Sequence, residues 1–427
     1  MSNMEATRSA YGKALTELAE KYPELMVLDA DLSSATMTKS FAALYPERFF
    51  NCGIAEANMM GIAAGMSTAG LKPFANTFAI FAAGRAFEQV RNSIAYPRLN
   101  VTVVGSHGGI SVGEDGATHQ SIEDLALMRV IPGMTVVNPC DAYEMRFATE
   151  ALIKHRGPAY LRLGRAPVET VTDTLPDYQF RLGKGVTMRE GRDMTFVATG
   201  LCVQLALKAA VLLEQEGISA RVLNIHTIKP LDEELIVKAA EETGHIVTAE
   251  EHSVIGGLGG AVAELLAERC PVPVLRHGVE DQFGRSGKAS DVLSFYGLTP
   301  EALAYGAMSG AMFETFVISE ILKSYSNRGI DYRYCVSYYR GRDKKKVRKD
   351  GQEYESESEI DLIIEENGML YPIEIKQSPA VTADEASTFT VLDKVEEKRR
   401  GMGAIICTCP QPNLLRDNLL QLPVWYV

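Results

Sequence analysis

Residues 105–129, which read GSHGGISVGEDGATHQSIEDLALMR, decide how most of this chain is interpreted. They follow an apolar stretch, LNVTVVG, which predicts a buried strand, and they run into an amphipathic helix expected to begin near Ser121. Five glycines allow positive φ and close backbone approach to a ligand. Among them stand two imidazoles and two carboxylates: His107, His119, Glu114 and Asp115. A loop of this composition predicts a ligand site, although a surface loop with incidental histidines stays open on pattern alone.

Composition sets the class of protein. The chain has 427 residues, of which 46% are hydrophobic and 23% charged, so we expect a soluble globular protein of two or three domains. A net charge of −12 argues against nucleic acid as a partner, and no apolar run reaches membrane-spanning length. The start, MSNMEATRSA, lacks a signal-peptide pattern. Seven scattered cysteines without a CxxC pair indicate reduced thiols. These features predict a cytoplasmic enzyme with no membrane partner.

Changes of pattern divide the chain into three predicted domains, at residues 1–180, 181–303 and 304–427. Up to residue 303, apolar strands alternate with helical stretches, which is typical of parallel α/β layers. The turn-rich stretch TDTLPDYQFRLGKG interrupts this rhythm near residue 180. After Ala304 come a helix, an aromatic strand and a basic run (Lys344–Lys346, Arg348 and Lys349). Acids follow that run at once, so it predicts a solvated hairpin or loop rather than a nucleic-acid patch.

HGGISVGEDGATHQSIEDLALMR resembles the substrate loop of transketolases, with His107, Asp115 and His119 at that family's His–x7–Asp–x3–His spacing. The resemblance runs from about Arg8 to about Leu303 and covers the pyrimidine-binding and C-terminal domains. It implies two parallel-sheet, three-layer α/β domains of thiamine-enzyme type. Deoxyxylulose-phosphate synthases and the β subunits of 2-oxo acid dehydrogenases share this fold and resemble the segment IHTIKPLDEELI. The stretch VGEDGATHQSIEDL favours transketolase over both.

Glu56 lies in NCGIAEANMMGIAAGM, where a lone acid in an apolar helix is costly unless it is paired or functional. A structural alternative is an acid that stabilises a helix N-terminus. The resemblance implies that Glu56 hydrogen-bonds the aminopyrimidine of thiamine diphosphate. It also implies that Asp31, in VLDADLSSATM, reaches the cofactor of the neighbouring protomer.

Phe78 and Phe81 match transketolase positions where aromatic rings lie against the pyrimidine. Because aromatics three apart on a helix are usually core residues, packing is the alternative. A third aromatic of the family corresponds to Ala75 here, and the neighbouring Phe74 is a candidate substitute.

Substrate-binding residues follow from the same resemblance. Arg8 and Arg165, with Ser33 or Ser34, match the groups that hold the substrate phosphate, and guanidinium groups suit such charge-assisted bonding. His107 and His119 match histidines that bond sugar hydroxyls, one of which moves a proton during carbon–carbon cleavage. The implied roles are catalytic for Glu56, His107 and His119, with Asp115 reading a substrate hydroxyl.

Thiamine enzymes hold the diphosphate and Mg²⁺ with a GDG motif followed by an asparagine, which this sequence does not contain. Glu114-Asp115-Gly116 followed by Asn138 is a near match without the first glycine. The resemblance therefore implies the C-terminal subunit of a split transketolase, inactive alone, which moves a two-carbon ketol unit between sugar phosphates. A transketolase N-terminal subunit would hold the diphosphate and Mg²⁺, in a homodimer of heterodimers.

The last third carries a second candidate site, in EIDLIIEENGMLYPIEIKQS. Asp361, Glu374 and Lys376, with Glu314 on the preceding helix, follow the PD-(D/E)xK nuclease pattern. Alternation puts Glu374 and Lys376 on one strand face, so the two strand carboxylates could share a Mg²⁺, although alternating charges on strands are common.

The wording of this last third resembles a C-terminal domain of unknown function found after the AAA+ module of many prokaryotic ATP-binding proteins. That resemblance implies a smaller α/β restriction-endonuclease-like domain. The alternative function is therefore a nuclease or an interaction module. An accidental fusion is the favoured origin, which predicts protease cleavage near Ala304.

Overall fold

The computed structural model describes residues 4–176, 178–347, 353–376, 378, 380–396 and 398–426; in the remaining helices and strands it does not describe the side chains of 308–316, 319, 320, 342–347 and 353–357. The chain divides into two compact units, which meet in sequence between Gly306 and Ala307. Within the described residues, no helix combines the length and apolar character needed to cross a membrane.

The first half of the larger unit alternates strands with helices, as the sequence predicted. Its strands are β1 (Met4–Ala6), β2 (Leu25–Asp29), β3 (Phe49–Asn51), β4 (Lys72–Phe78), β5 (Thr102–Ser106), β6 (Thr135–Val137), β7 (Ala159–Arg162) and β8 (Pro167–Glu169). Its helices are α1 (Thr7–Leu18), α2 (Lys39–Leu44), α3 (Glu56–Thr68), α4 (Phe87–Gln89), α5 (Asp124–Val130) and α6 (Ala142–Lys154). Helix α5 begins three residues later than the expected Ser121, because Ser121 forms bridges with Gly108 and Gly109.

The second half repeats the alternation. Its strands are β9 (Val186–Arg189), β10 (Met194–Ala198), β11 (Ala220–Asn224), β12 (Thr227–Lys229), β13 (Ile246–Ser253) and β14 (Val274–Val279). Its helices are α7 (Cys202–Gln215), α8 (Glu233–Thr243), α9 (Leu258–Arg269) and α10 (Ala289–Phe295), and α11 (Pro300–Asn327) begins in this unit and continues beyond Gly306. The turn from β13 into α9 contains Gly256 and Gly257, and the helix begins at Leu258.

Two mostly parallel sheets organise this unit. The first has the strand order β12-β6-β7-β5-β4-β2-β3, in which only the β12–β6 pair is antiparallel. The second has the order β14-β13-β10-β11-β9, in which only β11–β9 is antiparallel. Helices α1 and α6 pack with the core on one face of the first sheet, and α3 packs on the other, which gives the expected three layers. Parallel strands open their binding sites at their carboxyl ends. Three candidate residues, Asp31, Phe78 and His107, lie at or just beyond the carboxyl ends of β2, β4 and β5.

The smaller unit contains a mixed sheet. Its strands are β15 (Val336–Val347), β16 (Glu353–Glu366), β17 (Met369–Lys376), β18 (Arg399–Arg400), β19 (Gly403–Cys407), β20 (Asn413–Arg416) and β21 (Leu419–Pro423). The order is β15-β16-β17-β19-β21-β20, and the β17–β19 and β19–β21 pairs are parallel. A 3₁₀ helix, Ala383–Lys394, follows β17 in the chain.

Two predictions about this region can be compared with the structure. The backbone of Lys344–Lys346, expected in a hairpin or loop, belongs to β15, which pairs antiparallel with β16, while Arg348 and Lys349 lie outside the described residues. Helix α11 runs through Ala304 without a break, so the predicted domain boundary at residues 303/304 lies within this helix.

Candidate active site

Glu56 is the first residue of α3, where its carboxylate meets the positive end of the helix dipole. The side chain is only 5% exposed, and its Oε1 accepts a hydrogen bond from Arg85 Nη1 at 3.1 Å. The Arg85 guanidinium also lies over the Phe81 ring, 4.1 Å from its centroid. Sequence reasoning did not single out Arg85, whose signal was a cation in the apolar segment FAIFAAGRAF.

Phe78 and Phe81 do not share a helix, so the interpretation of two aromatics spaced along one helix is wrong. Phe78 ends β4, and Phe81 begins a π-helical turn, a feature often found at functional sites. The two rings are stacked, with centroids 5.9 Å apart and planes 14° apart. Phe74 is fully buried in the core with Tyr11 and Leu25, so it does not supply a third aromatic here.

His107 follows β5 and adopts a left-handed backbone conformation (φ +60°), which is uncommon for a non-glycine residue. Its ring stacks on Phe78 with centroids 4.0 Å apart, and Nδ1 lies 2.8 Å from Ser106 Oγ. Burial, reinforced by the cations Arg8 and Arg165, lowers the pKa of His107 to about 3. The imidazole is therefore neutral at physiological pH.

His119 completes the aromatic group. Its ring meets Phe78 and Phe81 edge-on, with centroid distances of 6.1 and 5.6 Å. Nδ1 lies 3.0 Å from Thr118 Oγ1. The fold thus brings Phe78, Phe81, His107 and His119 into one cluster.

Arg8 and Arg165 lie beside this cluster and place positive charge there. Arg8 donates to the Ala35 carbonyl at 2.8 Å, while its buried Nε has no hydrogen-bond partner. Burial, and then the positive charge of Arg165, lowers the pKa of Arg8, whereas Asp115 acts in the opposite direction. Two neighbouring guanidinium groups with an unused buried donor are suited to an anionic ligand.

Asp29 organises the loop that carries Asp31, Ser33 and Ser34. One carboxylate oxygen accepts from the Leu32 amide at 2.6 Å, and the other accepts from Thr36 and Thr38 hydroxyls at 2.6 and 2.9 Å. Burial raises the pKa of Asp29, and these hydrogen bonds oppose the shift. Sequence reasoning missed this residue, although an acid at a strand end in VLDADL was its signal.

The members of that loop are more open to solvent. Asp31 is exposed, has φ +65° and accepts from Asn51 Nδ2 at 2.9 Å. Ser33 is half-buried and Ser34 is exposed. The bond from Arg8 to the Ala35 carbonyl joins this loop to the guanidinium pair.

A buried ion pair anchors the end of the loop that carries His107 and His119. Arg162 Nε and Nη2 donate to the two Asp124 carboxylate oxygens at 2.8 and 3.0 Å, and Tyr160 donates to the same carboxylate at 2.8 Å. Arg162 also bonds the Ser121 carbonyl, so it ties β7 to the end of the loop. Of the two arginines in YLRLGRAP, Arg162 is structural and Arg165 faces the site.

The described residues contain no group of three or more metal-ligating side chains. Asn138, which completed the near match to a diphosphate motif, is buried and donates to Thr199 Oγ1 at 3.3 Å. Glu114 is ion-paired with Arg165 at 3.1 Å.

In the smaller unit, Asp361 lies on β16, and Glu374 and Lys376 lie on β17. Leu362 pairs with Ile373, which places the two acids on adjacent strands. Lys376 Nζ lies 2.6 Å from Glu374 Oε1, and Asp361 accepts from the Ile375 amide at 2.6 Å. Burial raises the pKa of Asp361. The side chain of Glu314 lies outside the described residues.

Comparison with protein families assigns each part of the chain. Residues 3–170 match the transketolase pyrimidine-binding domain and residues 183–303 the transketolase C-terminal domain. Residues 309–426 match a domain of unknown function, DUF4143.

Several related proteins match most of this chain and nearly the whole of their own length. A Methanocaldococcus jannaschii protein, described provisionally as a transketolase C-terminal section, is 49% identical over 70% of this chain and 93% of its own length. The 6-deoxy-6-sulfo-D-fructose transketolase subunit of Clostridium sp. is 46% identical over 70% of this chain and 92% of its own. An apulose-4-phosphate transketolase subunit of Phocaeicola vulgatus is 41% identical over 72% and 98%, respectively.

Solved structures agree. A split gene transketolase, described as an inactive beta4 tetramer, is 53% identical with a TM-score of 0.67, covering 71% of this chain and 98% of that one. A Pichia stipitis transketolase is 27% identical with a TM-score of 0.62, covering 72% of this chain and 46% of that one. By its pyrimidine-binding and C-terminal domains, and by relatives that it spans almost completely, this chain belongs to the transketolase family.

Proposed function

We propose that the chain is the C-terminal subunit of a split transketolase and transfers a two-carbon ketol unit from a ketose phosphate to an aldose phosphate. One observation carries the proposal: the buried carboxylate of Glu56, the stacked rings of Phe78 and His107, and the guanidinium pair form one connected site. An acid, an aromatic wall and an anion site are the parts that a thiamine-dependent transfer between sugar phosphates requires.

The cofactor half of the site fits thiamine diphosphate by its donor set. A buried carboxylate at a helix N-terminus suits a hydrogen bond to the aminopyrimidine, and the Phe78 and Phe81 rings suit packing against a flat heterocycle. When bound, thiamine diphosphate supplies the electron sink on which a carbon–carbon bond beside a carbonyl is broken and remade. Glu56 would hold and polarise the pyrimidine. Asp31 would reach the cofactor of a neighbouring protomer.

The substrate half of the site uses the remaining residues. Arg8 and Arg165, with the Ser33 or Ser34 hydroxyl, would hold the phosphate. His107, kept neutral by burial and by the two guanidinium groups, would bond a sugar hydroxyl without competing for the phosphate as a cation. His119 would move the proton during carbon–carbon cleavage, and Asp115 would read a hydroxyl.

A separate N-terminal subunit would complete the enzyme by holding the diphosphate and Mg²⁺. Two observations support this part of the proposal: two similar relatives are named as subunits, and the similar split-gene structure is described as an inactive tetramer. We expect a homodimer of heterodimers in the cytoplasm, a reducing compartment that suits seven free cysteines.

Glu56→Gln tests this function at one atom. With xylulose 5-phosphate, ribose 5-phosphate, thiamine diphosphate, Mg²⁺ and a transketolase N-terminal subunit, we expect the variant to lose about 10²-fold or more of kcat. The exposed Glu88→Gln is the matched control and should retain activity. Equal rates for Glu56→Gln and the control contradict the assigned role.

The smaller unit supports a second candidate function, Mg²⁺-dependent cleavage of a nucleic acid. The observation in its favour is that Asp361 and Glu374 lie on adjacent strands beside Lys376, so the two carboxylates could share a metal ion. The full chain would be incubated with plasmid DNA and Mg²⁺, beside Glu374→Ala and the exposed control Glu396→Ala. Cleavage lost only in Glu374→Ala supports a nuclease, and no cleavage by the wild-type chain contradicts it.

A further inference from the structure

Glu114 is paired with Arg165, one of the two guanidinium groups proposed above to hold the substrate phosphate. Its Oε2 lies 3.1 Å from Arg165 Nη1, and the Glu114 side chain is 65% exposed while that of Arg165 is 32% exposed. Arg165 also donates to the Val112 carbonyl, so the arginine is fixed while its carboxylate partner lies at the surface. One of the two cations of the anion site is therefore already paired within the chain.

The second cation is not paired in this way. Arg8 bonds only a backbone carbonyl among the contacts described, and its buried Nε has no partner. A ligand anion that enters between Arg8 and Arg165 thus finds one open guanidinium and one that carries a carboxylate. A phosphate dianion bound to Arg165 would lie close to the Glu114 carboxylate, and the two negative charges would repel each other.

Because the Glu114 side chain is largely exposed, side-chain rotation alone is enough to take its carboxylate away from Arg165. Two glycines with positive φ, Gly113 at +79° and Gly116 at +77°, flank the short turn that carries Glu114. Lys288, in the loop before α10, adds positive charge: Arg165 and, more weakly, Lys288 contribute to lowering the pKa of Glu114, after the residue's own backbone hydrogen bond. Glu114 therefore stays ionised near neutral pH and has a second cation within electrostatic reach.

We propose that Glu114 is a specificity-determining residue that holds the place of the substrate's anionic end on Arg165, and so sets the preference between dianionic and monoanionic substrates. This inference rests on the proposed function of Arg8 and Arg165. The Glu114 carboxylate repels a dianionic ligand end more strongly than a monoanionic one. Binding of the dianion is therefore weakened more by Glu114. Displaced Glu114 turns toward Lys288.

Ligand affinity in the full-length chain tests the proposal by calorimetry, with two probes. Ribose 5-phosphate carries a dianionic end near neutral pH, and its methyl phosphodiester is a monoanion. Because an exposed ion pair is weak, Glu114→Gln should bind ribose 5-phosphate about two- to fivefold more tightly than wild type. The gain for the diester should be smaller. Glu268→Gln, an exposed position on α9, controls for the overall charge and should change neither affinity.

The same substitution in a chain without Arg165 distinguishes loss of the Glu114–Arg165 contact from a general effect of removing one negative charge. In Arg165→Gln, adding Glu114→Gln should give no further gain, because the contact has already been removed. Unchanged or weaker binding by Glu114→Gln, or a gain that persists without Arg165, overturns the inference while leaving the proposed function intact. If neither wild type nor variant binds ribose 5-phosphate, the proposed phosphate site fails and the inference fails with it.

Discussion

At the scale of single residues, His107 shows how the fold sets the chemistry of a side chain. The imidazole is buried under Phe78 beside two arginines, and its pKa falls to about 3. An unfolded histidine binds its proton below a pH of about 6.5. Between these values the unfolded chain holds one proton more than the folded chain, so this residue lowers stability as the pH falls.

His107→Asn should remove that pH dependence. The wild-type chain should lose about 2 kcal/mol more of its unfolding free energy between pH 7 and pH 5 than the variant loses, at about 1.4 kcal/mol per pH unit below 6.5. Urea unfolding at the two pH values measures the difference. The exposed His245→Asn should keep the wild-type dependence. Identical slopes for wild type and His107→Asn would show that His107 is protonated normally in the fold.

The sequence was enough to predict site residues that belong to a motif with a fixed spacing. It was not enough for residues whose partners come close only in the folded chain. The loop motif indicated His107, Asp115 and His119, and the structure places both histidines at one aromatic cluster. Arg85 and Asp29 were missed because each matters through a contact, one with Glu56 and the other with three groups of its loop. Their roles in binding stay predictions.

At the scale of elements, the loop that carries His107 and His119 depends on the buried pair of Arg162 and Asp124. Both side chains are almost fully buried, at 3% and 0% exposure, and they join β7, α5 and the loop. Burial alone would lower the pKa of Arg162, but the charges of Asp124 and Glu251 raise it. Both groups therefore stay charged, and removal of either leaves an uncompensated buried partner.

Asp124→Asn should cost about 3 kcal/mol of unfolding free energy, since breaking a buried pair typically costs 3–5 and Glu251 compensates in part. Chemical denaturation of the purified chain measures this loss. The exposed Asp291→Asn on α10 should change stability by less than about 0.5 kcal/mol. A loss in Asp124→Asn no larger than that of the control would mean that the pair contributes little.

Alternation of apolar strands and helices was sufficient to predict the layers of the larger unit. Local boundaries were less predictable, because tertiary contacts decide them. Ser121 is engaged by Gly108 and Gly109, so α5 starts late, and the chain turns from strand to π-helix between Phe78 and Phe81. The spacing of hydrophobic residues along the sequence does not predict either of these boundaries.

At the scale of the whole molecule, the two compact units raise the question of which one the transfer reaction needs. All proposed transketolase residues lie before Gly306. A fragment that ends at Gly306 should therefore fold and should reach the full-length rate with the N-terminal subunit. Circular dichroism and the ketol-transfer assay check these two expectations. A fragment that is folded but inactive would contradict this division of labour.

The sequence predicted protease cleavage near Ala304, and the structure leads to the opposite expectation. Ala304 is 5% exposed and lies inside α11, so a protease must first open the helix. We therefore expect limited chymotrypsin digestion to leave the peptide bonds after Leu303 and Tyr305 intact under native conditions. Mass spectrometry of the digest decides the point, and rapid cutting there would restore the picture of an exposed junction.

The most direct test of the central claim is ketol transfer from xylulose 5-phosphate to ribose 5-phosphate, measured with thiamine diphosphate and Mg²⁺. The folded full-length chain would be assayed alone, with a transketolase N-terminal subunit, and as Glu56→Ala in the same mixture. The account predicts activity only in the mixture, and its loss in Glu56→Ala. Activity of the chain alone, or none in any mixture, would contradict it.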